Sequence, residues 1–421
     1  MTIIPRPRRL AYVVRSLALG AVLCALVGGA GAFAADDDRD RIEFANDQKA
    51  DGVVSTEGSD ETRFKTTPTS AEQHPKTRTI RRIVYAGMVN DGPWRKAMEA
   101  KDRGKFAEAA DIFASMADGG GREWEKFYGA MQEGDCWEQA KKYADAVKAF
   151  HKVVDTAKFD QDDKAQPRQR LWLEAAYRLG VALAESGDAD GANKLADSLD
   201  AYGNLRGSTN SSAAQTRANA VRAAIAAVAK DQTKLADFSQ KVVLRAADGD
   251  TWVHFNLMMA GAYSQAGKPK EAAAILDELL DGLANDPPRR AQAMLLKALT
   301  LIDSDPQAAL VELIRIDVLP YGSEDQKCVA RYQAGRILKD LADKLKANAT
   351  AMKDDRKAAF VDEQIATARL LLTAAAGSLS EVPEKGKAKD LLDQLPKDPD
   401  APADATAAAP ADGATDAAPK N

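Results

Sequence analysis

Between residues 252 and 280 the apolar side chains fall into two runs with helical spacing. Phe255, Met258, Met259, Ala262 and Tyr263 advance by steps of three, one, three and one, which gathers them on one face of a helix. After a break at Gly267, Lys268 and Pro269, a second stripe forms from Ala272, Ile275, Leu276 and Leu279, with Lys270, Glu271, Asp277 and Glu278 left for water. Glycine ends a helix cheaply and proline is tolerated in the first turn of the next, so the break predicts a tight corner. Two such helices cannot bury both their apolar faces alone. The pattern therefore predicts similar hairpins on either side.

Those hairpins are legible along the chain. The first spans 94–116, with Gly104 at its turn and Ala109, Ile112 and Phe113 inward. The second spans 125–154, with Met131, Trp137, Ala146, Phe150 and Val153 inward and Gly134 where its helices must close up. A third, 172–199, repeats the scheme with the pair Leu179-Gly180, then Gly187 and Ala192. From Ala192 to Ala272 there is room for two units, so a further helical unit is expected at 212–244, after the loop 207–211. A sixth, 290–316, turns at Asp303, Ser304, Asp305 and Pro306, and two longer, more charged helices at 324–346 and 356–379 have the texture of a cap.

Four units share one arrangement of small residues: Ala97, Gly104 and Ala109; Gly134, Lys141 and Ala146; Gly180, Gly187 and Ala192; Ala260, Gly267 and Ala272. Only small side chains let antiparallel helices approach closely while larger ones interlock. Over residues 93–320 this resembles the tetratricopeptide (TPR) repeat, with the second unit carrying lysine in place of the turn glycine. The resemblance implies a mostly α fold, an α-α superhelix of helical hairpins whose first helices line a concave face. On that face it selects Trp94, Met98, Lys101, Tyr128, Met131, Tyr177, Val181, His254, Leu257 and Gln265 as partner-binding candidates. Their mixture of aromatic, aliphatic and polar groups suits a peptide or helix in a groove. The lysine and asparagine set with which some members of the family hold a terminal carboxylate is not evident, so chaperone tails are not implied.

The ends of the chain have a different texture. Arg6, Arg8, Arg9 and Arg15 precede an apolar run closed by Ala32, Phe33 and Ala34, the signature of a signal peptide over 1–34. If left uncleaved, the run would be an N-terminal membrane anchor. The rest of a twin-arginine pattern is missing, and Leu23 before Cys24 is poor for lipoprotein processing. Residues 35–89 read as a small β-rich module or a partly ordered leader, with short alternating segments at 41–44, 52–56, 62–65 and 80–85 and the stretch 66–76 as the loosest loop. The stretch 40–57 looks like a module that precedes helical repeats in many exported bacterial proteins. The remaining divisions are helical repeats over 90–320, capping helices over 321–382 and an Ala-, Pro- and Asp-rich disordered tail over 383–421.

Removing four arginines with the leader takes the formal charge from −5 to −9, an unfavourable balance for nucleic acid, whose binding rests on cations that neutralise phosphates. Cys136 and Cys328 remain, in separate units, and read as free buried thiols rather than a disulfide framework. His74, His151 and His254 have no second ligand at metal spacing. Asp160, Asp162 and Asp163 lack the glycine and closing glutamate of a calcium loop. The Gly119-Gly120-Gly121 run is not followed by the lysine of a phosphate cradle. No cofactor and no catalysis are expected. The reading is an exported, periplasmic or secreted scaffold that binds an envelope or secreted protein or peptide through its concave face; the alternative is a peptidoglycan-associated enzyme, or an accessory subunit of one, built on a helical solenoid.

Overall fold

The computed structural model describes residues 39–396 apart from 47, 59–60, 68, 90–91, 120, 156–170, 205–210, 246–247, 285–286, 321, 353–354 and 381. The expected signal segment, the insertion at 160–170, nearly all of the loop 207–211 and the tail from 397 lie outside the described residues. The protein is mostly helical, with a small antiparallel sheet ahead of the helices. Strands β1 (Asp40–Phe44), β2 (Lys49–Glu57), β3 (Thr62–Lys65) and β4 (Ile80–Val84) stand in the order β3-β2-β1-β4. Ile42, Val54, Phe64 and Ile80 are buried on one face, while Val53, Arg63 and Lys65 face water, so the alternation of apolar and polar residues becomes the two sides of the sheet.

Both edges of the sheet are managed. In the stretch 66–76, expected as the loosest loop, residues 73–76 lie beside β3 through bridges of Phe64 with Gln73 and Glu61 with Lys76. On the other edge the register of β4 slips between its pairings with Glu43 and Phe44, and Arg81 and Arg82 are both exposed there. A bulge with flanking cations is how an edge strand resists pairing with another chain.

The sheet packs on the first helices rather than standing as a separate body. Asp40 is fully buried and accepts from the backbone amides of Val54 (2.8 Å) and Ala86 (3.1 Å) and from Nη1 of Arg122 (3.0 Å), with Nη2 also in contact. Glu57, 3% exposed, accepts from the hydroxyls of Tyr85 (2.7 Å) and Tyr128 (2.9 Å). Tyr85 stacks on Trp124 at 5.0 Å, and Trp94 meets both Trp124 and Phe113 edge-on. Two buried carboxylates are thus satisfied at the seam, by Val54 of the sheet and by Tyr85, Ala86, Arg122 and Tyr128 of the segments that follow it.

Sixteen helices follow among the described residues. The single turn α1 (Ala86–Val89) leads into six hairpins: α2 (Pro93–Asp102) with α3 (Phe106–Gly119), α4 (Glu123–Gln139) with α5 (Tyr143–Val154), α6 (Trp172–Glu185) with α7 (Ala189–Gly203), α8 (Ser211–Val228) with α9 (Gln232–Ser239), α10 (Asp250–Gln265) with α11 (Pro269–Gly282), and α12 (Pro287–Leu301) with α13 (Pro306–Val318). The pair α14 (Glu324–Met352) and α15 (Asp355–Ala376) closes the array, and α16 (Pro383–Leu392) lies on that pair. Each helix packs on the next except at the step from α9 to α10, where α10 lies on α8 and α6 instead.

Five corners share one backbone solution. Gly104, Lys141, Gly187, Lys230 and Gly267 have φ of 76°, 57°, 91°, 57° and 71°. At each, the next amide bonds a carbonyl five residues back, from Lys105 to Ala100 at 2.9 Å through to Lys268 to Tyr263 at 2.9 Å. This is the left-handed helix stop that glycine favours, and the two lysines hold it at a steric cost of about 1–2 kcal/mol. Lys141 therefore keeps the turn although the glycine is lost. Lys230 extends the scheme to the unit at 212–244, which has no turn glycine: Ala223 and Leu235 occupy the places of Ala260 and Ala272, all four with no exposure. That unit departs from expectation in one respect, because α9 stops after eight residues and 242–245 are not helical. The sixth hairpin turns without a left-handed residue, on Asp305, whose side chain accepts from the amide of Ala308 at 3.0 Å.

The small residues mark close approaches. A Cβ at Gly134 would run into the Phe150 ring of its own hairpin, and one at Gly180 would meet Val221 of the next. At Gly104 it would overlap the carboxylate of Asp325, so the start of α14 lies against the first corner. The stretch from Pro383, expected to be disordered, is helical in α16, and Ala388 and Leu395 are buried with Cys328, Leu372 and Ala375. A single apolar cluster of the cap gains members there, which the lysine-rich composition of the segment concealed. Cys136 and Cys328 are free and buried. No helix among the described residues is long and apolar enough to cross a membrane.

Two expectations follow. Ala272→Leu places a large side chain where none is exposed and should cost about 1–3 kcal/mol, whereas exposed Glu278→Ala should stay within about 0.5 kcal/mol; equal urea midpoints would contradict the assigned faces. A chain ending after Pro396 should melt with the full chain, while one ending at Val382 should melt several degrees lower, as read by calorimetry, because Ala388 and Leu395 leave their cluster.

Candidate functional site

The first helices of the hairpins carry the charged residues that lie inside the array. Arg178 of α6 occurs in a run of apolar and small residues, and the helix buries it with its neighbours: its side chain is 8% exposed. A buried guanidinium needs acids, and α4 supplies two. Nε of Arg178 donates to Glu138 at 2.7 Å, its Nη2 also touches Glu138, and Nη2 donates to Asp135 at 2.5 Å. Asp135 is shared with Lys101 of α2 at 2.6 Å, and Lys101 also reaches Gln132 at 2.7 Å.

The network continues along α6 to a helix two hairpins further on. Tyr177, without exposure, bonds Nδ1 of His254 on α10 at 2.9 Å, and the two rings meet edge-on at 5.5 Å. Nε2 of His254 lies 3.8 Å from Glu138. Arg217 of α8 is 8% exposed, approaches Asp248 at 3.9 Å and leaves its Nε without a partner. Arg289 of α12 pairs with Asp250 of α10. Glu174 of α6 lies within the fields of Arg178, Arg217 and Arg289.

Burial and neighbouring charge set the protonation of this cluster. Burial opposes ionisation of Asp135, yet Lys101 and Arg178 outweigh it and hold the carboxyl well below the usual range. For Glu138 burial wins over Arg178, with Asp135 adding repulsion, and the carboxyl is pushed up to about 7. Two acids share one guanidinium, and the one that lacks a lysine takes the upward shift. Burial, with Arg178 beside it, holds His254 well below the ordinary imidazole range, so the ring is neutral. Burial also raises Glu174 and lifts the Cys136 thiol to about 12.

The residues selected from sequence fare unequally. Trp94, Met131, Tyr177 and Val181 are buried, at 8%, 7%, 0% and 4% exposure. Tyr177, expected to face a partner, is instead an internal tie between helices, because its place on α6 points to α10. Tyr128 is half-buried and committed to Glu57, and Lys101 is held by Asp135. Met98 and Leu257 are half-buried against the core, His254 is about a quarter exposed, and Gln265 is exposed. The charged set Asp135, Glu138, Glu174, Arg178, Arg217 and Arg289 was not selected. A signal for it exists: Arg178 is the one charge in the run 175–184, and Asp135 and Glu138 sit three apart on the first helix of the preceding hairpin.

The architecture defines a helical-hairpin protein with an N-terminal sheet. No family model matches the chain, and no curated protein matches it.

Arg178→Met should leave Glu138 without its cation and Asp135 with Lys101 alone, and cost about 3–5 kcal/mol near neutral pH. The sign of its pH dependence follows from linkage. Asp135, depressed from 3.8, contributes stability above that value that is lost as pH falls through its folded pKa. Glu138, raised from 4.5 to about 7, contributes stability that is full below 4.5 and lost as pH rises through about 7. Without Arg178 both carboxyls titrate higher, so the variant should regain stability between about pH 7.5 and 5 more steeply than the wild type in urea unfolding. An unchanged slope would contradict the assigned pairing.

Proposed function

We propose that the protein is an exported, TPR-like helical solenoid that acts as a non-catalytic scaffold and binds a segment of an envelope or secreted protein on its inner side. The observation that carries this reading is that the first helices of six successive hairpins bring Lys101, Asp135, Arg178, Arg217, His254 and Arg289 within reach of one another's charge, with His254 about a quarter exposed. A side chain nine-tenths buried with an unused donor, Arg217, adds bonding capacity there. The aromatic anchors expected from the sequence take no part in this version of the surface. Specificity would come from polar groups that fix the register of a bound segment, with less affinity per unit area than an aromatic-anchored groove.

A photo-crosslinking residue placed at Gln265 or Leu257 should trap one defined envelope protein, and the same residue at Glu278 on the outer helix should not. Crosslinks from Glu278 alone would move the site to the outer side. Release of soluble fragments from peptidoglycan by the purified protein would overturn the non-catalytic reading.

A further inference from the structure

The carboxylate of Glu138 is where charge and bonding capacity on the inner side do not match. Its Oε2 takes both Nε and Nη2 of Arg178, while its Oε1 is buried and receives no hydrogen bond. A carboxylate oxygen removed from water without a donor is costly, and one proton removes that cost. Beside it stands a group able to exchange protons: Nε2 of His254 lies 3.8 Å from Oε2. The fully buried hydroxyl of Tyr177 holds the other ring nitrogen at 2.9 Å. With Nδ1–H donating to the Tyr177 oxygen, Nε2 keeps its lone pair and faces the acid as a proton acceptor.

Every helix packed around the pair brings charge. Lys101 comes from α2, Asp135 from α4, Glu174, Arg178 and Glu185 from α6, Arg217 from α8, Asp250 from α10 and Arg289 from α12; Asp248 approaches Arg217, and Tyr143 of α5 faces Glu138. With His254 neutral, the acids outnumber the cations. A further proton moves the cluster towards balance. The pair also sits at a mechanical join, since α4, α6 and α10 belong to the second, third and fifth hairpins and are tied here by side chains, while α10 also lies on α8 of the fourth.

We propose that Glu138 and His254 share one exchangeable proton, that the proton closes the join of α4, α6 and α10, and that its loss at higher pH loosens the join and uncovers the inner side. With the proton present, the 3.8 Å approach can tighten into a hydrogen bond and the unpartnered charge is gone. Without it, Glu138 is a buried anion beside Asp135, bound to a guanidinium that Asp135 also claims. Burial raises the Glu138 carboxyl to about 7, so closure is full on the acid side and is lost as pH rises through that value. The proton rests on the carboxyl, because burial keeps the imidazole neutral. The inference stands on the helix contacts and needs no partner.

Hydrogen-exchange mass spectrometry of the full chain between about pH 6 and 8.5, corrected for intrinsic exchange, should show opening of α10 rising about tenfold while α15 stays flat. Carbon NMR should show the Glu138 carboxyl titrating with the same midpoint. Glu138→Gln, closed and neutral, should abolish the pH dependence of α10. A Glu138 carboxyl that titrates in the ordinary range, or an α10 profile that persists in Glu138→Gln, overturns the proposal. Should that variant fail to fold, the wild-type midpoints decide it, and a mismatch between carboxyl and α10 overturns it equally.

Discussion

A guanidinium at the centre of a helical array constrains everything near it. Arg178 is too buried to be satisfied by water, so Asp135 and Glu138 must reach it from α4, and that requirement sets how α4 and α6 lie against each other. The next side chain along α6, Tyr177, then places its hydroxyl against His254, which brings α10 in over α8. Replacing the network with apolar groups could leave the helices equally stable, but with less reason to adopt one register. Its contribution lies in specifying which helices meet, more than in adding to the free energy of folding.

That network can form only because the hairpins bring their first helices to a common side, and the corners decide this. Five left-handed residues reverse the chain with the same hydrogen bonds, two of them lysines that tolerate a conformation glycine would take more easily. Behind the strained corners at Lys141 and Lys230, Ala146 and Leu235, five residues on, are as fully buried as Ala109, Ala192 and Ala272 behind the glycine corners. Where the scheme relaxes, at Asp305, an N-cap side chain takes over the reversal.

The sheet obeys the same logic at the other end. Its four strands are too few to bury a core of their own, and Asp40 and Glu57 would be stranded without Arg122, Tyr85 and Tyr128. The seam therefore makes the sheet part of the first hairpin's core. The contact between Gly104 and Asp325 brings the closing helices back to that same hairpin, so the two ends of the array are tied through it.

The amino-acid sequence by itself determined most of the helices, the glycine corners and the small residues at close contacts. These depend on short-range sterics and on periodicity, as the stripes of 255–263 and 272–279 and the glycine at 267 illustrate. It misassigned Tyr177, Met131 and Val181, because α4 and α6 are buried on most of their circumference and leave little polar face to mark the outside, and Trp94, because its ring packs on Phe113 and Trp124. The left-handed role of Lys230 was equally hidden, since a lysine at a turn has no local signature. Only the tertiary structure decided that Arg178 would face Asp135 and Glu138, that His254 would come back to them from two hairpins away, and that α16 would dock on the cap. Those outcomes rest on contacts between residues far apart in the chain, where the energy depends on which charges are buried together, and spacing along the sequence carries no record of that.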